Sequence, residues 1–445
     1  MAYPKLTDEP GALEVAAQLR DGALSPLEAV DAAIARIEAL DGPLNAVVVR
    51  DFDRARDIAK AMDGLDIRAD QPLFGVPMTV KESFNVAGLP TTFGHLEYKD
   101  NMAASDSTVV AKLRRAGAII LGKTNVPPDL ADLQSNNPVY GRTNNPHDPT
   151  RVAGGSSGGS AVALASGMVP AEYGSDIGSS IRNPAHFNGV FGHKPSFGLV
   201  SRRGHAHPAA GGQDVHDGPL SVTGPLARSA DDLAMLLEVT ATLPLGRKGK
   251  RLDQCRFLAV LEHPVSEVDQ AVLGPIEGAI SALEAAGAKV DRASDLVPDL
   301  AEQHANYLRL LNVAMARGRP APGGEPMLVS DYYLLLDTQA RNRYAWARLF
   351  ERYDFVLAPP LPFLAYKHDA TPLAQRKIAI NGAEHDFADA LAWAGIATFP
   401  DLPSTVVPVG GTDGLPCGIQ VMGPMWGDYD CIAAAGGIAR ILHGG

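Results

Sequence analysis

Gly154-Gly155-Ser156-Ser157-Gly158-Gly159-Ser160-Ala161 and, a short way on, Gly174-Ser175-Asp176-Ile177-Gly178-Ser179-Ser180-Ile181-Arg182-Asn183-Pro184 are two ordered clusters of glycine and serine. Glycine permits backbone angles closed to other residues and lets a bound molecule approach main-chain N–H groups closely. Several free N–H groups side by side can stabilise charge that develops only in a transition state. A Gly/Ser run by itself is usually a flexible loop. Here the apolar segment Ala161–Ala165 lies between the clusters, and Arg182 and Pro184 close the second, so a site built from backbone is the better reading. From Gln134 to Gly224 the chain stays rich in Gly, Ser, Asn, Pro and His.

On either side the pattern alternates helix and strand, which predicts an α/β protein. Ser25-Pro26-Leu27-Glu28 reads as a capping box with proline at the first helical position, opening a helix that stops near Asp41-Gly42. Asn45–Val49 and Leu73–Val80 read as strands. Thr108–Arg115 reads as a helix that turns at Ala116-Gly117 into the strand AIIL, and LEAAGAKV (Leu283–Val290) repeats that unit. Helical pattern returns at Ser229–Leu243, and LGRKGKR (Leu245–Arg251) is an exposed basic connection. One domain over 1–445 is expected, with Glu302–Arg352 as a helical excursion over the substrate side.

The 445 residues carry 39 basic and 51 acidic side chains, a net charge of −12, and lack the clustered basic face that nucleic-acid binding needs. Cys255, Cys417 and Cys431 show no metal-ligand spacing and fit a reducing compartment. No run approaches the roughly 20 apolar residues of a membrane span, and no signal peptide is evident. A cytoplasmic protein, monomeric or homodimeric, is expected.

Two motif matches fail on context. Gly117–Thr124 satisfies the P-loop expression, but its intervening AIIL is itself a strand, which would bury the N–H groups a phosphate needs. Gly155-Ser156-Ser157-Gly158-Gly159 satisfies G-x-S-x-G, but TNNPHDPTRVAG precedes it where a nucleophile elbow needs a buried strand.

The two clusters resemble the signature of the Ser-Ser-Lys amidohydrolases, the amidase signature family. The resemblance extends to GVPMTVKESFNVAGLPTTFG, DSTVVAKLRRAGAIILGKTN, GHKPSFGLVS, GPLSVTGPLARSADDL, LPSTVVPVG and GLPCGIQVMGP, and leaves out roughly Leu243–Leu357. It implies a large mixed central β-sheet with helices on both faces. It also implies Ser180 as nucleophile, Ser156 in a cis peptide after Gly155 as bridge, and Lys81 as base. Backbone N–H groups of Ile177, Gly178, Ser179 and Ser180 would form the oxyanion hole, with no metal and no cofactor. Lys81 precedes Ser156 by 75 positions and Ser180 follows it by 24, spacings that suit the family. Gly155, Ser175, Asp176 and Arg182 are read as support, and Glu82 as structural. Ser179 stands where the family usually has glycine, so its hydroxymethyl is expected to bear on selectivity.

The chemistry agrees with the residues. A serine hydroxyl needs a base within hydrogen-bond reach, and lysine serves as one only if burial depresses its pKa. The apolar segment before Lys81 is a means of burying it. The expected substrate is a small-molecule amide, carbamate or ester; KESFNVAG, QSNNPVYGRTNNP and the HAHP loop are similar to free-standing bacterial amidases, among them aryl acylamidases and urethanases. The glutaminase component of a tRNA-dependent amidotransferase shares the signature, as would a non-catalytic binding protein on the same scaffold, although Lys81, Ser156 and Ser180 are all intact. His205, His207 and His216 form a loop read as a border of the substrate pocket in preference to a metal site. Tyr140, Phe187, Tyr332, Tyr333 and Trp393 are candidates for an arene pocket or for core.

Overall fold

Residues 5–212, 214–319 and 325–443 are described by a computed structural model of the chain. Eight strands form the main sheet, in the order Lys289–Asp291, Arg256–Ala259, Phe355–Ala358, Leu415–Met422, Ser404–Thr412, Phe191–Lys194, Val222–Ala227, Ala171–Asp176. Parallel pairing at the first end gives way to antiparallel pairing from Phe355–Ala358 onward, so the sheet is mixed, and helices cover its faces. Strands buried on both sides read as continuous apolar runs, and Ser404–Thr412 and Leu415–Met422 are buried along almost their whole length.

A second sheet, Val47–Arg50, Ile119–Thr124 and Pro77–Lys81, abuts the end strand Ala171–Asp176. Thr79 on one strand donates to the buried Glu172 carboxyl on the other. That junction decides the site, because Lys81 ends one strand and Ser175 and Asp176 end the other.

The predicted strand Leu73–Val80 begins later, at Pro77, and includes Lys81. Residues 72–75 instead form turns, with Phe74 N–H bonded to Gln71 O. Gly117 lies against this turn, and a Cβ there would sit 2.5 Å from Phe74 Cα. The first predicted strand likewise shrinks to Val47–Arg50, since the helix Pro26–Leu44 continues through Pro43 and Asn45 caps it in left-handed conformation. Its capping box forms as expected: Ser25 Oγ accepts from Glu28 N–H, and the Glu28 carboxylate accepts from Ser25 N–H.

Helices Thr108–Arg115 and Ala230–Thr240 and the unit Gln270–Ala285 to Lys289–Asp291 lie where the pattern places them. Leu300–Ala316 and Val329–Leu349 are the helices within the expected excursion; residues 320–324 of it lie outside the described residues. Gly122, Lys123 and Thr124 belong to the strand Ile119–Thr124, and buried Lys123 donates to Pro90 O and Thr91 Oγ1, so the P-loop match is accidental. Ser157 follows a turn, and its hydroxyl bonds the Ser175 backbone. No helix among the described residues is long and apolar enough to cross a membrane.

Candidate active site

Lys81 is fully buried, and its Nζ lies 2.6 Å from Ser156 Oγ and 2.9 Å from Ser175 Oγ. Burial pushes the Lys81 ammonium well below its ordinary pKa, opposed by the Asp176 charge. Desolvation disfavours the charged form, so this lysine moves towards the neutral amine a base requires. The Gly155–Ser156 peptide is cis, as the resemblance implies. Gly155 is required for space, because a Cβ there would sit 2.3 Å from Asp132 O.

Ser156, Ser175 and Ser180 line one cleft of about 890 Å³. The Ser180 carbonyl accepts from Ser157 N–H at 3.2 Å, which ties the second Gly/Ser loop to the first. Asn183, unassigned in the sequence, is the stronger tie. Its Nδ2 donates to Gly155 O and Ser179 O, and its Oδ1 accepts from Gly155 N–H at 3.0 Å. Only the fold brings the Gly155 backbone, 28 positions away, to its side chain.

Asp176 and Arg182 form an ion pair with no solvent exposure, Nη2 to Oδ1 at 2.9 Å and Nε to Oδ2 at 3.1 Å. Burial opposes ionisation of Asp176, but Arg182's charge and hydrogen bonds, aided by Lys194 and the Ile181 N–H, carry its pKa below the usual value. Arg182 also donates to Ala394 O, Gln420 Oε1 and Thr398 Oγ1. Replacing Arg182 by methionine strands a buried carboxylate, and a destabilisation of about 3–5 kcal/mol is expected. Chemical denaturation checks this; a loss below about 1 kcal/mol would mean that water or Lys194 takes over the pairing.

One of the four expected oxyanion donors already has a protein acceptor. Ser179 N–H donates to Asp176 Oδ1 at 3.0 Å and is therefore committed. The Ile177, Gly178 and Ser180 amides donate to no protein acceptor among the described residues. Ser179 has φ of 73°, a left-handed angle that favours glycine, and its hydroxyl donates to Pro360 O at 3.3 Å. Its side chain thus supplies a hydrogen bond that anchors the loop to the segment after Phe355–Ala358.

The other sequence candidates divide. Glu82 is structural, accepting from the backbone N–H groups of Thr92 and Phe93. Among the five aromatics only Tyr332 lines the cleft; Phe187 and Trp393 are core, Tyr333 is exposed, and Tyr140 reaches Glu82. All three cysteines are buried thiols. His205, His207 and His216 all border the cleft, as expected, but do not converge. His205 Nε2 lies 2.9 Å from Ser83 Oγ, His216 Nδ1 accepts from Gly218 N–H, and His207 turns to Asp129.

A family model described as Amidase matches residues 28–320 and 323–432. The chain belongs to the amidase family. Among curated relatives, indoleacetamide hydrolase of Bradyrhizobium diazoefficiens is 32% identical over 92% of this chain and 82% of its own length. One component of the glutamyl-tRNA(Gln) amidotransferase of Symbiobacterium thermophilum is 30% identical over 93% of each chain. Fatty-acid amide hydrolase 2-A of Danio rerio is 38% identical over 65% of this chain, and the match spans only 57% of that relative. The solved structure of a bacterial aryl acylamidase of the amidase signature family superimposes with a TM-score of 0.82 at 26% identity, covering 97% of this chain and 96% of that one. In this amidase Lys81, Ser156 and Ser180 come from three separate segments; the fold brings Lys81 Nζ to Ser156 Oγ and places Ser180 in the same cleft.

Proposed function

We propose that this chain hydrolyses a carboxamide or carbamate C–N bond through an acyl-enzyme on Ser180, with aryl amides and N-aryl carbamates as the substrate class. The observation that carries it is the buried Lys81 Nζ 2.6 Å from Ser156 Oγ, in a cleft that Ser180 shares. Ser180 Oγ attacks the carbonyl carbon as Ser156 takes its proton and passes its own to Lys81. The oxygen of the tetrahedral intermediate takes up hydrogen bonds from the free amides beside Ser180. The relay then runs in reverse to protonate the departing amine, without which an amide leaving group is poor. Water, deprotonated by the same relay, releases the acyl group left by an amide, or the alkoxycarbonyl group left by a carbamate, from Ser180. Esters should react as well, because an alkoxide leaves more readily.

The aryl preference draws on the aryl acylamidase likeness and on Tyr332 and Phe93 in the cleft lining. Its test is release of an aniline from a matched anilide and N-aryl carbamate. Turnover of either supports the reading, and the ratio of kcat/KM ranks the two. Failure of both, with turnover of an aliphatic amide, removes the aryl preference and leaves the hydrolase.

A second reading, the glutaminase component of an amidotransferase, gains from Arg202 and Arg317, which border the cleft and suit a glutamine carboxylate. Glutamine in the same assay separates the two: ammonia released from glutamine, with no aniline from either aryl substrate, favours it.

A further inference from the structure

The rim of the cleft carries a cluster that hydrolysis at Ser180 leaves unused. His95 Nε2 lies 2.9 Å from Asp129 Oδ1, and His207 Nε2 lies 3.1 Å from the same oxygen. One ligand-capable atom of each residue falls within 4.8 Å of the other two. The three residues come from three separate segments, and Asp129 and His207 line the cleft. Asp129 and Leu130 both have positive φ, 56° and 58°, angles that L side chains seldom adopt. The backbone therefore holds the Asp129 carboxylate between two imidazoles at a conformational cost. Phe93 and Tyr98 pack edge-on against the His207 ring, with centroids at 5.2 and 5.5 Å, and restrict its tilt.

We propose that His95, Asp129 and His207 bind a divalent transition-metal ion of the zinc type at the rim of the cleft. Two imidazole nitrogens and a carboxylate oxygen suit zinc, cobalt or nickel in preference to magnesium or calcium. Ligand atoms around tetrahedral zinc stand about 3.3–3.5 Å apart, so small outward rotations convert the present contacts into a coordination shell. Three protein ligands leave a fourth position for water or a group of a molecule in the cleft.

Binding has a structural consequence. Ala209 N–H donates to His207 Nδ1 at 3.1 Å, so the neutral ring carries its proton on Nε2. A metal at Nε2 moves that proton to Nδ1, which then cannot accept from Ala209. The ion thus exchanges one exposed hydrogen bond in the turn Pro208–Ala210 for a cross-link between segments 112 positions apart, and the turn loosens while the rim tightens.

The test is calorimetric titration of the chelator-stripped full chain with zinc chloride, followed by cobalt substitution. One equivalent of zinc is expected, with tetrahedral visible bands for cobalt. His95→Ala, His207→Ala and Asp129→Asn should each weaken zinc at least about tenfold, while their zinc-free thermal midpoints report whether they fold. Ser180→Ala should bind zinc as the parent does. Hydrogen exchange at Ala209 should quicken on zinc addition. No zinc uptake at micromolar concentration, or equal uptake by parent and the His95→Ala/His207→Ala double variant, overturns the proposal.

Discussion

Ser180→Ala is expected to lower kcat for amide hydrolysis by about 10⁴- to 10⁶-fold. The size follows from what remains. Ser156 Oγ sits on Lys81 Nζ, and Ser175 Oγ is held by the same amine, so neither hydroxyl is free to attack. The Ser180 hydroxyl has no hydrogen-bond partner among the described residues, and its own N–H is one of the free donors beside it. Alanine keeps that N–H and the loop tie through its carbonyl, so substrate should still bind. Mass spectrometry with a slowly deacylating carbamate gives the direct measurement. An adduct on Ser180 of the parent, absent in the variant, is the expected result. A variant with more than about one hundredth of parental kcat would move the nucleophile to Ser156 or Ser175, since loss of a true nucleophile costs far more.

Lys81→Met is the second large effect, a fall of about 10³-fold or more in kcat with KM little changed, because the lysine acts on protons and does not touch bound substrate. Methionine fills similar volume, so the strand Pro77–Lys81 should keep its place. In the parent, activity rises with pH as Lys81 gives up its proton, and the midpoint lies well below the value of a free lysine because burial disfavours the ammonium. The variant loses that limb. Stability carries the same signature. The folded pKa is below the unfolded value of about 10.4, so between the two the unfolded chain holds the extra proton. Stability therefore rises with pH across that window and falls as pH drops through it. Thermal melts of parent and variant at several pH values should show the parent gaining on Lys81→Met as pH increases. A pH-independent difference would mean that Lys81 is neutral, or charged, to the same extent in both states.

Much of the site is legible in the sequence because catalysis demands residue types that have no bland explanation together. Lys81 after an apolar strand is ordinary, and so is a Gly/Ser loop; the two clusters at family spacing are not. The fold is legible where amphipathic pattern and caps agree, as at Ser25–Glu28 and Thr108–Arg115. Pattern fails where a tight contact overrides it, as in the turn at 72–75 against Gly117. Ser179 is only half legible, because sequence shows a hydroxymethyl where glycine is usual but not the direction in which a positive φ aims it. Asn183 shows no role in sequence, since amide side chains acquire meaning only from the backbone groups the fold brings to them. The pairing of His207 with Asp129 and His95 is hidden for the same reason: the neighbours suggested by sequence, His205 and His216, face other partners.

The strand order has a consequence for synthesis. Ser404–Thr412 and Leu415–Met422 lie in the middle of the main sheet, between Phe191–Lys194 and Phe355–Ala358. A ribosome therefore delivers both flanking halves long before the strands that join them. Until residue 422 emerges, each half presents an unpaired strand edge, and the Arg182 guanidinium waits for Gln420 and Ala394. Such edges invite intermolecular pairing. Nascent chains halted before this point should depend on chaperones and lack activity, however complete their serines and lysine, and the protein becomes competent in a single late step.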